Sequence, residues 1–166
     1  MNRRGFTLIE LLAVIILIGL LLVITVPNIL SMVSTSKQTS YNTLVKNIVT
    51  SSQMYYEECE YGDLSSTSKY GSYACSISGN TITTTLGTLA NTGFLKVNDT
   101  KEVSGKEIKV VINPTNEKDI SDCQIKIEKT VTTNTDVNNI ENYKVTYTVT
   151  DITGTDCPTT DEYKGE

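Results

Sequence analysis

The sequence contains no histidine and no tryptophan. Without histidine no nucleophile–histidine pair can form, and no imidazole is available to complete a zinc site. A glycine-rich phosphate loop is missing as well. Basic residues number 14 against 19 acidic ones, and no basic patch follows the first four residues, so a nucleic-acid surface has no support. With so many carboxylates, two that lie close together carry no catalytic meaning. Nothing here points to an enzyme, a catalytic residue or a cofactor. The four cysteines fit no metal-ligand spacing. The acidic tail DITGTDCPTTDEYKGE lacks the regular spacing of a calcium loop and reads as a solvated end.

What is present is concentrated at the N-terminus, MNRRGFTLIELLAVIILIGLLLVITVPNIL. From Leu8 to Val26 the one charge is Glu10, with Gly19 and Thr25 the other breaks in apolar character. As a helix this run spans about 28 Å, close to the thickness of a hydrocarbon core. Arg3 and Arg4 hold the N-terminus in the cytoplasm by the positive-inside bias. A cleaved signal peptide would be shorter and end at a small-x-small site, whereas this run flows into PNILSMVSTSK. RRGF matches the start of a twin-arginine signal, which needs such a site too. A plain single-pass anchor explains the length and the arginines but not Glu10.

An ionised carboxylate at membrane depth is expensive and calls for a partner. The apolar run offers no cation. A cut between Gly5 and Phe6 creates one, an α-amine four residues before Glu10. Within one helix the two groups neutralise each other imperfectly; between staggered neighbours they can pair well. Burying a lone carboxylate costs several kcal/mol, and an ion pair at about 4 Å recovers roughly 4 kcal/mol at an effective dielectric near 20. Glu10 therefore makes sense as an assembly key.

GFTLIELLAVIILIGLLLVITVPNIL resembles the N-terminus of type IV pilins and the related pseudopilins. The resemblance implies a leader of residues 1–5 removed after Gly5 by a prepilin peptidase, N-methylation of Phe6, and Glu10 as the hallmark glutamate. Gly19 and Pro27 fall where many pilins carry a glycine and a proline, and imply a stretch able to bend or to lose helicity in a packed filament. Residues 6–33 are then the membrane-spanning and filament-core helix, and 34–166 the head. The expected fold is α+β: a long N-terminal helix whose C-terminal half packs on a small antiparallel sheet.

The rest of the chain supports that layout. Tyr41, Leu44, Val45, Ile48, Ser52, Tyr55 and Cys59 recur at three- and four-residue steps and form one stripe. They predict one continuous helix from about Phe6 to about Glu58, amphipathic over 34–58. Residues 59–83 read as a loop. TTTLGTLANTGFLK reads as a short helix capped by Thr84 or Thr85, with Leu86, Leu89 and Ala90 inward, ended by Gly93. The sheet region is 106–157. It holds KEIKVVINP, then CQIKIEKTV with Cys123, Ile125 and Ile127 inward, and YKVTYTVTDI with Tyr143, Val145, Tyr147 and Val149 inward. The polar stretch TTNTDVNNIEN reads as a long hairpin loop. An even cysteine count behind an export-type N-terminus predicts two disulfides in an oxidising compartment. Cys59 and Cys75 are expected to pair across the loop, and Cys123–Cys157 to staple the tail to the sheet. Other pairings remain open from sequence.

The function expected is a structural subunit of a type IV pilus, a surface filament for adhesion, motility or DNA uptake. Its partners are other pilin subunits, the prepilin peptidase, a membrane platform protein and an assembly ATPase. It resides in the cytoplasmic membrane as a precursor and afterwards outside the cell, in a Gram-positive bacterium by composition. The alternatives are a pseudopilin of a type II secretion or competence machine, and a membrane-anchored extracellular binding domain.

Overall fold

The computed structural model describes residues 7–61, 75, 77–135 and 141–158; within these, the side chains of residues 24, 27, 28, 134, 135, 141 and 142 are excluded. Helix α1 runs without interruption from Leu8 to Tyr61, 54 residues or about 81 Å. By packing, the chain falls into two units, Met1–Thr39 and Ser40–Glu166.

In the first unit every described apolar side chain from Leu8 to Val33 is exposed. The helix continues through Gly19 and Pro27, and a Cβ on Gly19 would meet nothing within 4 Å. Among the described residues no helix is long and apolar enough to cross a membrane. The described side chains of the apolar run are continuous only from Leu8 to Val23, about 24 Å of helix, because Ile24 lies outside them. The span expected over Leu8–Val26 is thus not represented whole.

In the second unit the helix face that carries the stripe is buried. Tyr41, Val45, Ile48, Tyr55 and Cys59 lie in the core, together with Tyr56. They pack against a four-stranded sheet of order β1-β2-β5-β6 and against a short helix. The strands are β1 (Ile77–Ser78), β2 (Thr81–Thr85), β5 (Gln124–Thr135) and β6 (Glu141–Thr153), all paired antiparallel. The core rows cross the sheet in register, with Ile82 opposite Ile127 and Ile127 opposite Val149. Tyr55 meets Phe94 edge-on at 5.6 Å, and Tyr56 meets Tyr147 at 5.2 Å. The short helix, α2 (Leu86–Thr92), begins at Thr85, whose hydroxyl accepts from the Thr88 N–H at 3.1 Å. It ends at Gly93, whose φ of 90° favours a residue without a Cβ.

Four sequence expectations change here. In the region 59–83, read as a loop, residues 77–78 form β1 and 81–83 begin β2, while 62–74 and 76 lie outside the described residues. TITTT is β-branched at every position, and Ile82 and Thr84 point into the core. KEIKVVINP does not join the main sheet: β4 (Lys106–Lys109) pairs with β3 (Thr100–Val103) in a separate hairpin. The strand stops before the buried Val110 and Val111, because consecutive apolar residues cannot both face the core from a regular strand. In the stretch read as a long hairpin loop, 132–135 and 141–142 are strand, with Thr135 opposite Glu141, and 136–140 lie outside the described residues. Finally, Tyr143 and Val145 are exposed rather than inward. β2 pairs with β5 only as far as Glu128, so the β5–β6 ribbon runs on beyond the sheet that covers the core. A register shift at Lys126/Ile127 leaves Thr150 as the extra residue on β6 and returns Ile152 to the inner face opposite Ile125.

Disulfides join Cys59 to Cys75 and Cys123 to Cys157, with Cα separations of 5.9 and 5.8 Å. The end of α1 is further held by Lys129 on β5, whose Nζ donates to both Glu60 oxygens at 2.6 Å and to the Tyr61 hydroxyl at 3.2 Å.

One buried polar atom stands apart. Ser52 is 0 % exposed and, among the described residues, its Oγ has no hydrogen-bond partner. An unsatisfied buried hydroxyl is costly, so Ser52→Ala should be neutral or stabilising by up to about 1 kcal/mol. Thermal melts of the intact protein in detergent measure this; a loss of more than about 1 kcal/mol would mean that the hydroxyl is satisfied.

Candidate assembly site

Two features of Glu10 stand out, its place in the apolar helix and its partners. It sits in the first turn of α1, where a carboxylate complements the helix dipole. Its Oε2 accepts from the Thr7 N–H at 2.9 Å and from the Thr7 hydroxyl at 2.9 Å. The Glu10 N–H in turn points to Thr7 Oγ1 at 3.4 Å. This is a capping box: residue i closes the helix with its hydroxyl, and the glutamate at i+3 reaches back to the backbone N–H of residue i. Within a single chain Glu10 therefore has a partner that the sequence reading did not assign. Thr7 was missed, although Thr-x-x-Glu ahead of an apolar run is the signature that could have revealed it.

The box engages one carboxylate oxygen with two donors. Among the described residues no hydrogen bond reaches Oε1. The box holds the side chain along the helix end through Oε2. It uses the Thr7 amide, which a cut after Gly5 would leave intact. Gly5 and Phe6 lie outside the described residues, as do Arg3 and Arg4.

The remaining residues singled out in the sequence lie apart from this point. Gly19 and Pro27 are farther along α1. The four cysteines belong to the second unit and tie its strands and the end of α1 together. Among the described residues no group of acidic or cysteine side chains could hold a metal ion.

Thr7→Val is a direct check of the box. It removes the hydroxyl that caps α1 and costs the first turn about 1 kcal/mol. The expected outcome is faster amide exchange at residues 8–10 and a several-fold drop in assembled protein, with the membrane-associated amount unchanged. Equal exchange in variant and parent would mean that the box does not form.

An exposed apolar helix that opens on a capped glutamate is the arrangement that the N-terminal motif leads one to expect. Residues 1–26 match the family of the prokaryotic N-terminal methylation motif. By this N-terminal segment the chain is similar to type IV pilins, a family of structural subunits. It is similar to the type IV major pilin protein PilA of Myxococcus xanthus (strain DK1622), with 39% identity over 57 residues, which is 34% of this chain. The matched stretch covers 26% of that relative, so the chain spans about a quarter of the curated protein it matches. No solved structure matches the chain. The inference of a Gram-positive source from composition gains no support from this relative.

Proposed function

We propose that the chain is a structural subunit of a type IV pilus, inserted as a membrane precursor, cut after Gly5, N-methylated on Phe6 and then polymerised through α1. The observation that carries this reading is the exposure of every described apolar side chain from Leu8 to Val33, with Glu10 at the head of the run. Such a surface is stable in a bilayer or inside a bundle of identical helices, and not in water. The match of residues 1–26 to the methylation motif and the similarity to a major pilin support the processing step. In the polymer the Phe6 amine of one subunit meets Glu10 of its neighbour, and the capping box presents the carboxylate for that contact. A platform protein and a cytoplasmic ATPase supply the machinery, and the mature fibre lies outside the cell. Residues 6–33 form the filament core, with Gly19 and Pro27 the places where the helix can yield on packing.

Mass spectrometry of the native N-terminus tests the processing. The expected species begins at N-methyl-Phe6. An intact Met1, or a cut near Val26, would contradict the assignment of Gly5 and Phe6.

A further inference from the structure

The last turns of α1 are unusually acidic. Glu57, Glu58 and Glu60 crowd the C-terminal end, no basic residue lies in the last turn, and the helix dipole adds further negative potential there. Lys129 answers Glu60. Among the described residues no cation pairs with Glu57 or Glu58. Both line an open groove of about 510 Å³, walled by Met54 and Tyr61 from the same helix face and by Phe94 and Tyr147 from the opposite side. Burial, and next the Glu57 charge, push the Tyr147 hydroxyl up from its ordinary value, so the field reaches across the groove. The chemistry that complements these walls is a cation on an apolar stem.

That chemistry is displayed on the hairpin of β3 and β4. The β3–β4 hairpin turns at Ser104 and Gly105, both with positive φ, and none of its side chains is buried. Its cross-strand pairs alternate in character. Glu102 faces Glu107 on one side, whereas the other side carries Val103 opposite Lys106 and Lys101 opposite Ile108. Lys101 is already committed to Asp119 at 2.6 Å. At the tip, Lys106 and the 44 % exposed Val103 therefore present a cation and an apolar group side by side. An isolated two-stranded hairpin is marginally stable in water and gains from being packed against a partner.

We propose that the Val103/Lys106 tip of one subunit docks into the Glu57/Glu58 groove of a second copy of this chain. This rests on the filament reading, which brings copies side by side. The two patches differ, so each copy can offer its tip to one neighbour and its groove to another, and along a filament the contact runs head-to-tail. Lys106 places its ammonium between the two glutamates, and its methylene stem and Val103 cover Met54 and Tyr147.

Filaments grown from a mixture of isotope-labelled and unlabelled full chains, treated with a zero-length carbodiimide, test the contact. The expected product is an amide joining Lys106 of one copy to Glu57 or Glu58 of the other, with one labelled and one unlabelled half. Lys106→Glu should lower filament recovery about tenfold, and combining it with Glu57→Lys and Glu58→Lys should restore most of it. Melts of the intact subunits in detergent should not differ, which separates lost docking from lost folding. Wild-type filaments that lack the cross-link, or that tolerate Lys106→Glu, would overturn the docking and leave the pilus reading standing. Wild-type chains that never polymerise would overturn both.

Discussion

Glu10→Ala is expected to leave the chain in the membrane at parental levels and to lower filament recovery by a hundredfold or more. An ion pair at about 4 Å and an effective dielectric near 20 contributes roughly 4 kcal/mol, close to a thousandfold in a single association step. That contribution is lost at every contact of a polymer. The capping box makes a second variant informative. Glu10→Gln keeps an acceptor for the Thr7 donors but carries no charge. If charge is what a neighbour reads, the glutamine variant assembles as poorly as the alanine one. If Glu10 serves chiefly to cap α1, glutamine assembles like the parent and alanine resembles Thr7→Val. Quantifying sheared surface filaments against membrane-bound subunit separates these outcomes, and parental assembly by Glu10→Gln would remove the charge pair from the mechanism. A tethered binding domain predicts a third pattern, in which Glu10→Ala changes nothing.

The order in which features became legible follows how local their causes are. The stripe from Tyr41 to Cys59 could be read because a helix face repeats every three to four residues, and the same residues line the core. Helix α2 was marked by a capping threonine and a terminal glycine within a few positions. β2 was harder to see. It is five residues of threonine and isoleucine, and its strand state is fixed by pairing with residues of β5 far along the chain, Thr81 with Glu128 and Thr85 with Gln124. Parity along β6 held from Tyr143 to Val149 and then failed, because a bulge is a property of two strands and not of one. Burial failed earlier, at Val145, for a similar reason: alternation tells which face a side chain takes, not whether anything covers that face. At the assembly site, Glu10 was visible as a charge in the wrong solvent. Its local partner Thr7 stands in the same four residues, and it offers a backbone donor and a hydroxyl rather than a charge. The acidic groove joins positions 54 to 147 and has no local signature at all.

The largest expected effect on the head itself comes from Cys123–Cys157. Opening it with Cys123→Ala and Cys157→Ala should destabilise the second unit by about 4 kcal/mol, against about 3 kcal/mol for Cys59–Cys75, because the closed segment is 34 rather than 16 residues long and loop entropy grows with length. Thermal melts of the intact protein in detergent provide the comparison, and a larger loss on opening Cys59–Cys75 would reverse the ranking. Gly154 adds a signature that a generic loss of stability does not. Its φ is 141°, and a Cβ there would lie 2.5 Å from Cys157 Sγ and 3.5 Å from the Cys123 Cα. Gly154→Ala should therefore cost more than about 2 kcal/mol while the disulfide is present, from backbone strain and the clash together. In the background that lacks Sγ at residue 157 the clash is gone and only the backbone strain remains. The two changes should then be less than additive, by at least about 1 kcal/mol. Strict additivity would mean that the tail turns at Gly154 for a reason unconnected with the sulfur, and the close approach of β6 to Cys157 would no longer explain why a glycine stands there.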